Sequence, residues 1–327
     1  MGEFDIIAKY FAPLSRGERG AFNLTDDAAV LDVPIGNQMV ITSDCLIAGV
    51  HFLMTDPPPT IARKALGVNL SDLAAMGARP RTYTLAAAWP SSLDESWIAG
   101  FAQGLDFAQR AWGVTLVGGD TVKTDGPLTL TITAFGEVYD GQAIMRSGAR
   151  PDDIVFVSGT VGDAALGLLV NTGKLSAMSS ADSRYLIDRY RCPQPRIDLG
   201  PRLCGLASSA IDLSDGLLAD LQHAMDQSNV RADVRVSQLP LSDAAARTLQ
   251  KHPEILQNIV CGGDDYEILF TVSPSRQNEI SDLSKHLSLP LTSIGSVGNS
   301  VDHPTVTLVD ENGQEVVLAG PPGYRHF

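Results

Sequence analysis

The residues of this 327-residue chain best able to do chemistry are aspartates placed beside glycine, serine or threonine where an apolar run turns polar. Met39-Val40-Ile41-Thr42-Ser43-Asp44 reads as a short buried strand ending in two hydroxyls and a carboxylate, hard oxygen donors of the kind Mg²⁺ takes. The design returns at Thr115-Leu116-Val117-Gly118-Gly119-Asp120, where the glycines would let backbone approach a ligand and offer N–H groups to phosphate oxygens. Asp26-Asp27 precedes a strand-like Ala28-Ala29-Val30-Leu31, and Asn69 and Asp72 are three apart on one helical face. A carboxylate within a segment as apolar as Leu70 to Met76 is costly to bury unless it meets a cation or a donor. Asp212-Leu213-Ser214-Asp215-Gly216 opens a further helix and echoes Asn69-Leu70-Ser71-Asp72, a hint of internal duplication. Gly263-Asp264-Asp265-Tyr266-Glu267 brings three carboxylates against a strand.

Each of these has a plainer reading. Aspartate is common in turns, and aspartate with serine at a helix start can simply cap it. The net charge of −14 serves solubility, though excess carboxylates can also recruit cations. Recurrence favours the chemical reading, because Mg²⁺ takes a few carboxylates and fills its other positions with water and phosphate oxygens. Several ions make sense if ATP must meet a second phosphate, since the reactants would bring together roughly six negative charges that need screening. No serine-histidine-aspartate set and no H-E-x-x-H pairing stands out. A phosphate acceptor would explain the missing base: with a second pKa of about 6 it is mostly dianionic at neutral pH, so positioning and charge neutralisation would carry the reaction.

The elements that must hold these residues alternate between helix and strand, which gives an α/β class with two mixed domains, 1–148 and 149–327. Residues 5 to 12 suit a short amphipathic helix. A helix starts at Thr60 with an apolar stripe at Leu66, Leu70 and Leu73 and stops at Gly77. A Ser92/Glu95 capping box opens the next, whose stripe is Trp97, Ile98, Phe101, Leu105 and Ala108. Leu128 to Phe135 alternates as a half-buried strand should. In the second half, the strand Ile154 to Val157 enters a Ser158-Gly159-Thr160-Val161-Gly162 turn that could cradle a phosphate at a helix start. Gly167 to Lys174 only mimics a Walker A loop, with five residues between the glycines and Leu175 where Ser or Thr belongs.

Composition removes other classes. The acidic balance argues against a nucleic-acid backbone or an anionic membrane surface as partner. Cys45, Cys192, Cys204 and Cys261 form no C-x-x-C pair, so neither a disulfide framework nor a zinc site is suggested and a reducing cytoplasm fits. The start Met1-Gly2-Glu3 lacks a signal-peptide pattern, Ile6 stands where myristoylation wants Ser or Thr, and no apolar run reaches membrane-spanning length.

Taken together, Asp26-Asp27-Ala28-Ala29-Val30, Thr42-Ser43-Asp44, Asn69-Leu70-Ser71-Asp72 with Met76-Gly77-Ala78-Arg79-Pro80, Gly118-Gly119-Asp120, Asp212 to Gly216 and Gly263 to Glu267 resemble the thiamine-monophosphate kinases. That family shares its architecture with aminoimidazole ribonucleotide synthetase, selenophosphate synthetase and a hydrogenase maturation protein. The acidic motifs of the first half are common to all of these; the Gly-Asp-Asp-Tyr-Glu stretch and the aromatic tail point to the kinase.

The resemblance implies direct in-line transfer of phosphate from ATP to thiamine monophosphate. It implies Asp27, Thr42, Ser43, Asp44, Asp72, Asp120, Asp212 and Asp215 as Mg²⁺ ligands, with Asp44, Asp120 and Asp215 the most critical and no residue acting as acid or base. Gly119, Asp120, Arg146 and Ser214 would contact ATP, and His51, Asp264 and Tyr324 the thiamine phosphate. An aromatic face and a carboxylate suit the fixed positive charge of a thiazolium. At the tail, Arg325 stands where family members often carry an acidic residue. The implied fold is an amino-terminal domain forming a dimeric β-barrel, hence a homodimer, with an α/β carboxy-terminal domain closing the nucleotide cleft. The residues alone also admit a synthetase that activates an amide or formyl oxygen by phosphorylation, or a non-catalytic acidic metal-binding protein.

Overall fold

The computed structural model describes residues 3–176, 178–300, 302–320 and 323–324. The chain divides into two compact units, Met1–Leu73 with Ala78–Gly141, and Ala74–Gly77 with Gln142–Phe327. Both carry mixed α/β structure.

The first unit begins with α1 (Glu3–Ile6), which tightens and unwinds through residue 24 in short π and 3₁₀ turns. Strands β1 (Asn37–Ile47), β2 (Arg79–Pro90), β3 (Thr115–Thr124) and β4 (Thr129–Tyr139) form a sheet in the order β1-β4-β2-β3, antiparallel except for β2 with β3. Helices α2 (Pro58–Ala75) and α3 (Glu95–Trp112) are the two crossovers. The period of two sorts the strands: Leu130, Ile132 and Ala134 of β4 and Leu85, Ala87 and Trp89 of β2 are buried. Trp89 packs edge-on against Phe101 of α3, with centroids 5.5 Å apart, and Tyr83 donates to Gln109 of α3 at 2.8 Å. The alternate residues line an open face, on which Ile41 of β1 is 59% and Val122 of β3 48% exposed.

Several sequence expectations change here. The run Ala28 to Leu31 forms no strand; Val30 lies 62% exposed, and its N–H donates to Gly20 O at 2.9 Å. Asp94, not Ser92, caps α3 by accepting the Trp97 N–H at 2.9 Å. Thr60 lies inside α2 and returns its hydroxyl to Pro57 O.

The second unit holds β5 (Ile154–Ser158), β6 (Ser209–Asp212), β7 (Val230–Arg235), β8 (Ile268–Val272), β9 (Leu291–Asn299) and β10 (Val306–Val309), in the order β10-β7-β9-β5-β8-β6. All pairs are antiparallel except β10 with β7. Helices α4 (Asp163–Asn171), α5 (Ser180–Arg191), α6 (Gly200–Leu203), α7 (Leu217–Ser228), α8 (Asp243–Lys251), α9 (Leu256–Cys261) and α10 (Gln277–Leu287) cover it. Alternation in β5 sends Val155 and Val157 into one core with Leu166, Leu186 and Leu221, and Phe156 into another with Phe270, Leu203 and Ile280. The echo between Asn69–Asp72 and Asp212–Asp215 is not a structural repeat. The first lies in the last turns of α2, the second at the end of β6 and the turn after it.

Candidate active site

In the first unit, β1 and α2 bring the first acidic group together. Period-two alternation puts Thr42 and Asp44 on the same face of β1 and Ser43 on the other. Thr42 Oγ1 donates to Asp72 Oδ2 at 2.5 Å, and the Asp44 N–H donates to Asn69 Oδ1 at 3.1 Å. Asn69, fully buried, is itself held by donating to Ala65 O at 3.0 Å. Burial, with the neighbouring Asp72 charge, pushes Asp44 up to about 6. Two carboxylates arranged at such a cost with hydroxyl and amide oxygens around them form a hard-oxygen donor set that a divalent cation would relieve. Ser43 does not join them; its hydroxyl pairs with Thr133 at 2.9 Å on the open face.

A second group lies across the same sheet. Asp44 pairs with Ile132, Ile132 with Leu85 and Leu85 with Gly119, so Asp44 and Gly119 sit three strands, or about 14 Å, apart. Gly119 has φ +154°, and a Cβ there would lie 1.9 Å from Leu85 O, so only glycine lets β3 run against β2 at this point. Gly119 and Asp120 line a cleft of about 300 Å³ with Asp26, Asp27, Leu24 and Phe11. Asp120 is exposed and accepts the Thr121 N–H at 2.9 Å. His51 lies in the turn after β1, where its Nδ1 accepts the Ile47 N–H at 3.0 Å. The ring nitrogen that remains, Nε2, therefore carries the proton of the neutral imidazole.

In the second unit, Asp212 ends β6 only 2% exposed, opposite Ile268. The turn after it is tied on every side. Ser214, Asp215 and Gly216 donate their N–H groups to Asp220 Oδ2 at 3.0, 3.1 and 3.0 Å. Burial, aided by the Asp215 charge, pushes Asp220 up to about 7. Ser214 O accepts the Asp264 N–H at 2.9 Å, and Asp215 O accepts the Tyr324 N–H at 3.0 Å. Thus Ser214, Asp215, Asp264 and the backbone of Tyr324 gather at one place. Arg146 is exposed, in a segment held at the other end of α7, where Ser228 Oγ accepts the Gly148 and Ala149 N–H groups at 3.1 and 3.2 Å.

The Gly263 to Glu267 stretch alternates in role. Asp264 and Tyr266 have φ of +75° and +51°, and the Tyr266 hydroxyl donates to Asp264 Oδ1 at 3.2 Å. Asp265 and Glu267 point inward. Asp265 accepts the Gly162 and Ala164 N–H groups, the latter at 3.0 Å, and burial pushes it up to about 7. The turn whose sequence could suit a phosphate is thereby filled by the protein's own carboxylate. Glu267, fully buried, accepts from Ser158 at 2.6 Å, Arg189 at 3.0 Å and Arg196 Nε at 2.6 Å.

Residues 25–138 match the family model described as AIR synthase related protein, N-terminal domain. The chain is 40% identical over 329 residues to the thiamine-monophosphate kinase of Haemophilus influenzae, covering all of this chain and 98% of that one. The chain belongs to the thiamine-monophosphate kinase family. The thiamine-monophosphate kinase of Stenotrophomonas maltophilia K279a superposes with a TM-score of 0.83 at 39% identity, over 94% of this chain and 98% of that chain. A structure described as AaThiL complexed with AMPPCP and TMP superposes with a TM-score of 0.78 at 30% identity, over 92% and 91%. The fold is therefore that of the aminoimidazole ribonucleotide synthetase-like proteins, with mixed sheets in both units.

Within this member of the thiamine-monophosphate kinase family, no three His, Cys, Asp or Glu side chains among the described residues lie close enough to hold one ion by themselves. Mg²⁺ commonly takes one or two carboxylates and completes its shell with water and substrate phosphate, which the Asp44/Asp72 pair suits. Asn69, which holds the Asp44 N–H, and Asp220, which holds the Ser214–Gly216 turn, were not expected from the sequence. Asp220 carried a readable signal, a carboxylate inside the apolar run Leu217, Leu218, Leu221, the same anomaly that marks Asp72. The aromatic tail is described only at Gly323 and Tyr324, so Pro322, Arg325, His326 and Phe327 lie outside the described residues.

Proposed function

We propose that the chain phosphorylates thiamine monophosphate to thiamine diphosphate with ATP as co-substrate, the final step in making that coenzyme. The observation that carries this is similarity over the whole length to thiamine-monophosphate kinases, with a related fold that binds AMPPCP and TMP. Incubation with ATP, Mg²⁺ and thiamine monophosphate should yield thiamine diphosphate by chromatography. Absence of that product, with turnover of an amide or formyl substrate instead, would assign the chain to the synthetase branch.

Mg²⁺ ions supply the charge neutralisation. In the first unit Asp44 and Asp72, with Thr42 beside them, would hold one, and Asp27 and Asp120 another; in the second unit Asp212 and Asp215 would serve. The desolvated carboxylate of Asp44, with the Asp72 charge beside it, supports this assignment. Ser43 would enter only by its backbone, since its hydroxyl faces Thr133. Gly119, Asp120, Arg146 and Ser214 would contact ATP, Arg146 by its two-pronged guanidinium. His51, Asp264 and Tyr324 would hold the acceptor. With Nδ1 accepting from Ile47, His51 would donate from Nε2 to a phosphate oxygen rather than remove a proton. This agrees with an acceptor phosphate that is already ionised.

The chain would act as a homodimer, two open sheet faces closing into one barrel. The exposed Ile41 and Val122 on the sheet face opposite the helices support that reading. A solution mass of twice the chain would agree; a stable monomer at working concentration would not. We place the enzyme in the cytoplasm, where its four free cysteines remain reduced.

A further inference from the structure

The turn Ser214-Asp215-Gly216 has the curled backbone that usually marks an anion site: three successive N–H groups converge on one point. In this protein the point is occupied by Asp220 Oδ2, from the first turn of the helix that the turn itself introduces. Asp220 is 2% exposed, so no solvent could replace it. A helix start normally borrows its cap from the residue preceding it. Here α7 has no such cap, because Gly216 has no side chain, and the carboxylate comes from inside the helix.

The outward-facing groups of the turn are then set by geometry. With its N–H groups gathered inward, the turn presents Ser214 O to the Asp264 N–H and Asp215 O to the Tyr324 N–H. Leu213 adds two more ties, donating to Glu267 O at 2.9 Å and accepting from Tyr266 N–H at 2.8 Å. Gly263 is needed for this approach, as a Cβ there would lie 2.1 Å from Ser214 O.

We propose that Asp220 is a positioning residue that fixes the Ser214–Gly216 turn and, through the two backbone hydrogen bonds to Asp264 and Tyr324, sets the nucleotide-binding and acceptor-binding groups of this unit in register. The proposal rests on the kinase reading and adds a residue that touches neither substrate. One corollary is that the Ser214 N–H is not available to a nucleotide, so Ser214 contacts ATP through its hydroxyl.

The test compares Asp220→Asn, which keeps an oxygen acceptor in the same volume, with Asp220→Leu, which keeps the branched shape, is somewhat larger and removes the acceptor. Calorimetry with Mg²⁺ and a non-hydrolysable ATP analogue, and separately with thiamine monophosphate, reads the affinities. Asp220→Leu should weaken both by about tenfold or more, while Asp220→Asn stays within about threefold of the parent. A residue that merely stabilised α7 would lower the melting temperature of Asp220→Leu and leave both affinities unchanged, which would overturn the proposal. So would equal damage from the two variants. If Asp220→Leu does not fold, amide exchange on the parent decides. Protection at 214–216 already present without nucleotide agrees, and protection that appears only with nucleotide refutes it. Parent turnover of thiamine monophosphate, measured alongside, separates failure of this proposal from failure of the kinase reading.

Discussion

Thr42 and Asp72 are joined by a 2.5 Å hydrogen bond that ties the middle of β1 to the last turn of α2. It turns Asp72 toward Asp44, whose carboxyl burial and the Asp72 charge together raise to about 6. The protein thus holds two carboxylates in an arrangement unfavourable for folding and favourable for binding a cation.

Asp44→Asn should therefore separate stability from activity. Removing the desolvated, repelled charge should leave the melting temperature in metal-free buffer equal to the parent's or above it. Turnover at ordinary Mg²⁺ should fall by roughly two orders of magnitude or more, as expected when a metal-held charge clamp is broken. Near-normal turnover would remove Asp44 from the metal site.

Glu267 should be the opposite kind of position. It is fully buried between Arg189 and Arg196, so Glu267→Gln leaves two guanidinium groups short of a charge partner. The expected cost is roughly 3–5 kcal/mol in urea unfolding. A loss below about 1 kcal/mol, the range of a surface pair, would contradict the buried clamp.

Asp265 gives a pH dependence with a definite sign. Its folded pKa of about 7 lies above the ordinary 3.8 because burial, and to a lesser degree Asp163, outweigh the Gly162 and Ala164 N–H groups and Arg189. The folded state then binds more protons than the unfolded state between these values. The Asp265 contribution to stability is present in full below about pH 4 and declines as pH rises to about 7, by at most about 1.4 kcal/mol per pH unit. Relative to Asp265→Asn, the parent should lose stability between pH 5 and pH 8 in urea titrations. A difference that is flat or grows with pH would show Asp265 ionised throughout.

Much of this was legible in the sequence because it rests on short-range pattern. The stripe from Ile98 to Ala108 and the alternation of β4 follow from periodicity and form as read, whereas the strand expected to end buried at Asp44 runs on to Ile47, with Met39 to Asp44 half-buried or exposed. What was not legible depends on partners distant in sequence. Asp265 and Asp264 are adjacent and chemically alike, yet Asp265 is spent on a turn 101–103 residues away while Asp264 remains partly exposed. Ser43 sits between Thr42 and Asp44, and although strand alternation turns its hydroxyl to the other face, only the pairing of β1 with β4 supplies Thr133 as its partner there. Ala28 to Leu31 has strand composition, but among the described residues its one backbone hydrogen bond is Val30 N–H to Gly20 O, and a strand requires a ladder.

The most direct test of the whole account is the stereochemical course of the reaction. ATP made chiral at its γ-phosphorus with oxygen isotopes should deliver that group to the terminal phosphate of thiamine diphosphate with inversion. A single in-line displacement, with positioning and charge neutralisation in place of a protein nucleophile, requires it. Retention would reveal a covalent phospho-protein intermediate and contradict the account, and so would thiamine diphosphate that carries none of the label.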